Sequence, residues 1–94
     1  MNYKKSNLYI ENIPVQKIAR KFGTPSYGYS LNKLKLNIKN FKNHFKQINP
    51  IICFSVKSNS NLQILQEIKK MGIGADVVSK GEMVMALKAG ISPK

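Results

Sequence analysis

The feature that most constrains this chain is a short apolar run that ends on a charge. Ile51 to Val56 (Ile-Ile-Cys-Phe-Ser-Val) is continuous, as expected for a strand buried on both faces, and Lys57 follows it directly. A second short apolar stretch, Ala75 to Val78, carries an acid, Asp76, inside it. Between them, Asn61 to Met71 places Leu62, Leu65, Ile68 and Met71 at helical spacing, and Gly72 and Gly74 end that helix. Ser79 can cap a further helix from Lys80 to Ala89, which Gly90 ends. The order is strand, helix, strand, helix with short connections, which predicts βαβ units and a parallel sheet. Ser92-Pro93-Lys94 reads as the approach to another strand. Two parallel strands cannot close a barrel and leave open edges, so the chain is expected to be a truncated part of a larger α/β fold.

The first half is less regular. The stretch to about Ile13 alternates weakly (Tyr3, Leu8, Tyr9, Ile10) and reads as one strand, broken at Ile13-Pro14. Pro14 to Phe22 reads as a short helix through Val15, Ile18, Ala19 and Phe22, stopped by Gly23. Thr24-Pro25 begins an extended segment, and Ser26 to Ser30 reads as a strand. Ser30 is a candidate cap for a helix running to about Phe45, with Leu31, Leu34, Ile38, Phe41 and Phe45 on its apolar side. Lys35, Lys39, Lys42 and Lys46 take the other faces and read as solvated; His44 near the helix end reads as a surface residue favoured by the helix dipole.

Composition narrows the function classes. The net charge of +12 on 94 residues suggests an anionic partner. Yet Arg20 is the only arginine, and arginine is the residue suited to bidentate recognition of bases and phosphates. The lysines are spread along the chain among Asn and Ile residues, which share A/T-rich codons with lysine. A compositional origin is therefore preferred to a nucleic-acid partner. Cys53 alone builds no disulfide or metal framework and reads as a small buried hydrophobe. No apolar stretch approaches membrane-spanning length, and a reduced cytoplasmic setting is the default expectation.

Lys57 stands at the end of an apolar strand, where α/β folds place their sites. Partial burial there would favour the neutral amine that Schiff-base chemistry needs. The alternative is a lysine that merely reaches solvent from a strand end. Asp76 adds a second polar group: if the strands are parallel neighbours, both residues end at one rim. There the carboxylate could hold the lysine, contact a cofactor, form a structural ion pair or cap the next helix.

Two linked motifs then carry a resemblance. Cys53-Phe54-Ser55-Val56-Lys57-Ser58-Asn59-Ser60-Asn61 resembles the cofactor-lysine motif of the diaminopimelate, ornithine and arginine decarboxylases of the alanine-racemase-like fold. Gly74-Ala75-Asp76-Val77-Val78-Ser79-Lys80-Gly81-Glu82 resembles the second motif of those enzymes, at fitting distance, and looks most like the diaminopimelate decarboxylase subfamily. Thr24-Pro25, the aromatic segment after it and Ser30-Leu31 are similar to the segment that opens that family's barrel.

The resemblance implies an α/β fold: an incomplete parallel (β/α) barrel of the alanine-racemase-like, pyridoxal-phosphate-dependent type. Residues 1–30 would be an N-terminal segment that belongs partly to a β domain, and residues 31–94 the first βα units of the barrel. It implies pyridoxal 5'-phosphate as cofactor, Lys57 as its covalent carrier and catalytic lysine, and Asp76 and Ser55 as cofactor-binding residues. Ser55 stands where the family has a small residue against the cofactor ring; its hydroxyl needs a partner if buried. Glu82 matches an acid that attracts the lysine after substrate has displaced it; it also fits a plain dipole-stabilised residue in a first helical turn. No metal is implied. The full-length protein would decarboxylate meso-diaminopimelate to L-lysine in lysine biosynthesis, as a homodimer without nucleic-acid or membrane partners. The related ornithine, arginine and carboxynorspermidine decarboxylases are the alternatives, as is a non-catalytic fragment. The phosphate- and substrate-binding residues of such a barrel would lie beyond Lys94.

Overall fold

A computed structural model of the chain describes residues 1–93. It divides into two compact units, one through Leu36 and the other from Asn37 onward.

In the first unit, three strands form an antiparallel meander: β1 (Asn2–Lys4), β2 (Asn7–Ile10) and β3 (Ile13–Pro14). Lys4 pairs with Asn7, so Lys5 and Ser6 alone make the first turn, both at positive φ (45° and 66°). That is the conformation a two-residue hairpin needs, usually supplied by Asn-Gly or Asp-Gly. The expected single strand is therefore a hairpin and a third short strand. The turn carries no glycine, which is why its sequence does not announce it.

Helix α1 (Val15–Phe22) follows and packs against β2 and β3, with Val15, Ile18 and Ala19 half-buried. The Gly23 N–H closes it on the Ala19 carbonyl at 2.8 Å. Phe22 is exposed, not part of the packed face.

Ser26 to Ser30 forms no strand. Tyr27 and Tyr29 stack with ring centroids 6.5 Å apart and stay largely in solvent. The segment lies against β2 through Gly28, where a Cβ would come within 2.8 Å of Ile10 Cδ1. Side-chain contact replaces a hydrogen-bonded ladder there.

Helix α2 (Leu31–Phe45) has the expected bounds and the expected cap: Ser30 Oγ accepts the Lys33 N–H at 3.0 Å. A second cap comes from the turn between β2 and β3. Glu11 Oε1 accepts the Asn32 N–H at 3.0 Å and the Ser30 hydroxyl at 2.9 Å. A carboxylate at a helix N-terminus is favoured by the dipole. These bonds hold the Glu11 carboxyl below its ordinary range, first through the Asn32 N–H, then through Ser30 and nearby Lys35.

In the second unit, α2 ends in a 3-10 turn (Lys46–Ile48). Strand β4 (Cys53–Ser55), helix α3 (Leu62–Lys70) and strand β5 (Gly74–Asp76) then form a βαβ unit, and helix α4 (Lys80–Lys88) follows. The two strands pair in parallel, as expected. Asn61 caps α3, its side chain accepting the N–H groups of Gln63 and Ile64 at 3.0 and 3.3 Å. The core is Val56, Leu65 and Ala89, with Phe54, Leu62, Ala75, Val77 and Met85 packed around it. Residues 92 and 93 are not in a strand, and Lys94 lies outside the described residues.

Several expectations fail in this unit. The run from Ile51 yields only three strand residues, and Ile51 itself is 93% exposed. The strand is buried on one face, not two. Phe54 and Ala75 pack toward the helices, while Cys53, expected to be buried, is exposed, as strand alternation requires for a sheet covered on one side. Lys42, expected in solvent, is half-buried, and its Nζ donates to the Met71 carbonyl at the C-terminus of α3. A cation there satisfies a carbonyl that the helix leaves open and matches the dipole.

Candidate functional site

The site is built where β4 and β5 end. The register pairs Cys53 with Gly74, Phe54 with Ala75, and Ser55 with Asp76, so both strands finish level. The C-terminal ends of parallel strands are where α/β folds gather polar side chains.

After Ser55 the backbone leaves the strand in a 3-10 turn, Val56–Ser58. Val56 is fully buried and anchors the turn in the core. Ser58 Oγ donates back to the Ser55 carbonyl at 2.6 Å, and the Asn59 N–H to the Val56 carbonyl at 3.1 Å. Asn59 Oδ1 accepts the Asn61 N–H at 3.0 Å, which leads into α3. Lys57 is thus carried on a backbone fixed on both sides. Its side chain is exposed, so the expected partial burial does not hold. The strand ends before it, and past the buried Val56 the side chain comes out to solvent.

Asp76 is also exposed, and Ser55 is half-buried. No hydrogen bond or ion pair connects Lys57 to Asp76. The structure brings Ser55 and Asp76 side by side and sets Lys57 two residues beyond them. It leaves the three side chains free of one another.

The sheet face on this side is sparsely furnished. Gly74 has no side chain, and a Cβ there would lie 3.1 Å from Cys53 Sγ. Ser55 is small. A primary amine, a carboxylate and a hydroxyl at the rim of a bare sheet face suit a flat aromatic aldehyde, and pyridoxal phosphate is one. The residues present fit that group on its ring side. Among the described residues there is no cluster of His, Cys, Asp and Glu that could hold a metal, and no helix is long and apolar enough to cross a membrane.

A feature that the strand-end reading passes over is the start of α4. Ser79 caps the helix as expected, accepting the Glu82 N–H at 3.1 Å. The same hydroxyl donates to Glu82 Oε2 at 3.0 Å. Glu82 Oε1 is buried and has no hydrogen-bond partner among the described residues. The Ser-x-x-Glu spacing signals the cap but not the orphaned oxygen.

Comparison with known proteins gives the family and the fold. A diaminopimelate decarboxylase of Haemophilus influenzae is 44% identical over 88 residues, 94% of this chain and 21% of that protein. The diaminopimelate decarboxylase of Aquifex aeolicus is 37% identical over 94 residues, all of this chain and 22% of that protein. A crystal structure of diaminopimelate decarboxylase from M. jannaschii in complex with L-lysine superposes with a TM-score of 0.92 at 32% identity, covering 99% of this chain and 23% of that one. The chain therefore spans about a fifth of the length of the curated relatives it matches. Those structural neighbours bear out an α/β fold of the alanine-racemase-like barrel type, with this chain matching its N-terminal part. The model of the pyridoxal-dependent decarboxylase family, pyridoxal binding domain, matches residues 31–94, and the chain belongs to that family.

Proposed function

We propose that this chain is the amino-terminal part of a diaminopimelate decarboxylase that converts meso-diaminopimelate to L-lysine and CO2, with Lys57 as its cofactor lysine. The observation that carries the reading is the level ending of β4 and β5, which sets Ser55 beside Asp76 and puts Lys57 on a fixed turn just past them. The likeness to diaminopimelate decarboxylases along nearly the whole chain supports the substrate. The same reading makes the full-length protein a cytoplasmic homodimer.

Pyridoxal phosphate, when bound, supplies an aldehyde that links to amines and an electron sink for the pair left behind when a carboxylate departs. Lys57 Nζ would be the group that holds it covalently until a substrate amine takes that position. Ser55, small and half-buried, leaves room for the ring, and its hydroxyl can bond to a polar atom at the ring's edge. The Asp76 carboxylate, level with Ser55, orients the Lys57 ammonium after its release. The substrate carboxylate leaves as CO2, and a proton takes its place on the carbon. A lysine set free at this rim is a group able to carry a proton there.

The test is turnover by the full-length protein. Purified enzyme with pyridoxal phosphate is offered meso-diaminopimelate, ornithine, arginine and carboxynorspermidine in parallel. Release of CO2 with L-lysine formation from meso-diaminopimelate supports the reading. Preference for one of the other three moves the protein to a sister activity, and release from none removes the decarboxylase assignment.

A further inference from the structure

Among the described residues Lys42 is the only lysine that is not exposed. An ammonium drawn inward is usually met by an acid. Lys42 has three N–H groups to place, and its Nζ donates one of them to the Met71 carbonyl at the end of α3. No acid takes the others. The chain has four acidic residues, and all stand elsewhere. Glu67 bonds to Lys70, Glu11 to Ser30 and Asn32, Asp76 ends β5, and Glu82 lies in the first turn of α4.

Lys42 lines a cleft of about 270 Å³ together with Lys46, Asn49, Pro50, Ile52 and Gly72. Pro50 and Ile52 lead into β4 and Gly72 into β5, so the cleft lies where the strands begin, at the end opposite Ser55 and Asp76. Gly72, at φ +73°, keeps it open: a Cβ there would stand 3.5 Å from Lys42 Nζ, in front of the ammonium. Lys46, one helical turn beyond Lys42, adds a second cation, and the side-chain amide of Asn49 adds a neutral donor. The end of α3 turns its negative pole to this place, and the Lys42 bond to the Met71 carbonyl answers it. Two full positive charges then stand against a fraction of one negative charge, with no carboxylate in the walls. Net charge alone marks no site on so basic a chain. What marks this place is a lysine drawn inward without an acid, beside open space.

We propose that this cleft is an anion site, separate from the cofactor rim, that takes a small phosphate group, free or as a monoester, between Lys42, Lys46 and Asn49. Ammonium groups bind phosphate as point charges, and two of them with an amide suit its several oxygens. The cleft falls just below the range of about 300–1,000 Å³ usual for pockets that hold drug-sized ligands, which restricts it to a small one. The site needs nothing from Lys57 and stands whether or not that residue carries the cofactor.

The experiment is calorimetric titration of the full-length holoenzyme with inorganic phosphate and with glycerol phosphate, at low ionic strength in a buffer free of phosphate. Bound cofactor keeps the titrant out of the cofactor's own place. The unsubstituted protein is expected to take up one phosphate per chain, saturably. Lys42→Gln also uncaps α3, so two milder variants carry the test. Lys46→Gln should weaken uptake about tenfold, the loss of one charge-assisted hydrogen bond. Asn49 sits in the left-handed region, which aspartate also tolerates, so Asn49→Asp keeps the turn, sets a negative charge in the cleft and should abolish uptake. Lys39 is an exposed lysine of the same helix outside the cleft, and Lys39→Gln should bind as the unsubstituted protein does. Glycerol phosphate bound as tightly as phosphate assigns the site to esters, and its exclusion assigns the site to the free ion. Three results overturn the proposal: no saturable uptake, uptake unchanged in Lys46→Gln and Asn49→Asp, or an equal loss in Lys39→Gln, which marks diffuse attraction to a basic chain.

Discussion

Ser55 and Asp76 face each other across two parallel strands and close the same ladder, so a small hydroxyl and the chain's most informative acid share one end of one sheet, with Lys57 on the turn that follows Ser55. The pairing has a cost in space. The same ladder begins with Cys53 beside Gly74, and there a side chain on the glycine would press on the cysteine sulfur at 3.1 Å.

Gly74→Ala is therefore expected to destabilise the protein by less than about 1 kcal/mol, below the range for overpacking a filled core, because the exposed Cys53 side chain can give way. Cys53→Ala removes the sulfur and should recover most of that loss when combined with it. A double-mutant cycle measured by urea unfolding checks this. Additive effects would show that the two positions do not compete for space.

Leu65 is fully buried in the core cluster with Val56 and Ala89. Leu65→Ala is expected to cost about 2–5 kcal/mol. Because Val56 anchors the Lys57 turn in that same cluster, the variant should also take up pyridoxal phosphate more slowly at temperatures where it remains folded. Denaturant unfolding and the rate of cofactor uptake test the two halves separately.

Glu11 joins the β2–β3 turn to the first turn of α2. Its folded-state carboxyl titrates below its ordinary value, first because of the Asn32 N–H and then because of the Ser30 hydroxyl. A lowered folded value means that the ionised form stabilises the fold. That contribution is fully present above the ordinary glutamate value of about 4.3 and is lost as pH falls below it through the lowered value. Glu11→Gln should flatten this part of the stability profile. Thermal melts between neutral pH and pH 3 measure it, and an unchanged slope in Glu11→Gln would count against the contact.

Much of this architecture was legible because it rests on local rules. Ser30 to Phe45 shows its cap and its apolar spacing, and α2 has those bounds. The βαβ order and the parallel pairing follow from two short apolar runs around a helix with an asparagine cap. The misses share a cause, which is context that periodicity does not encode. The hairpin at Lys5–Ser6 uses residues without turn chemistry of their own. Lys42 resembles every other lysine on its helix until the end of α3 comes within its reach. The run at Ile51 is apolar enough for two-sided burial, but the described residues cover one face, so Cys53 and Lys57 stay exposed. At the site, the motif residues were readable, whereas the unpaired oxygen of Glu82 depends on packing around it.

The central claim, that Lys57 carries the cofactor, is tested most directly by borohydride reduction of the full-length protein loaded with pyridoxal phosphate, followed by digestion and mass mapping. The account predicts one stoichiometric modification, on the peptide that contains Lys57, and none in Lys57→Ala. Stable modification of a different lysine, or a Lys57→Ala protein that still traps the cofactor and releases CO2, would contradict it.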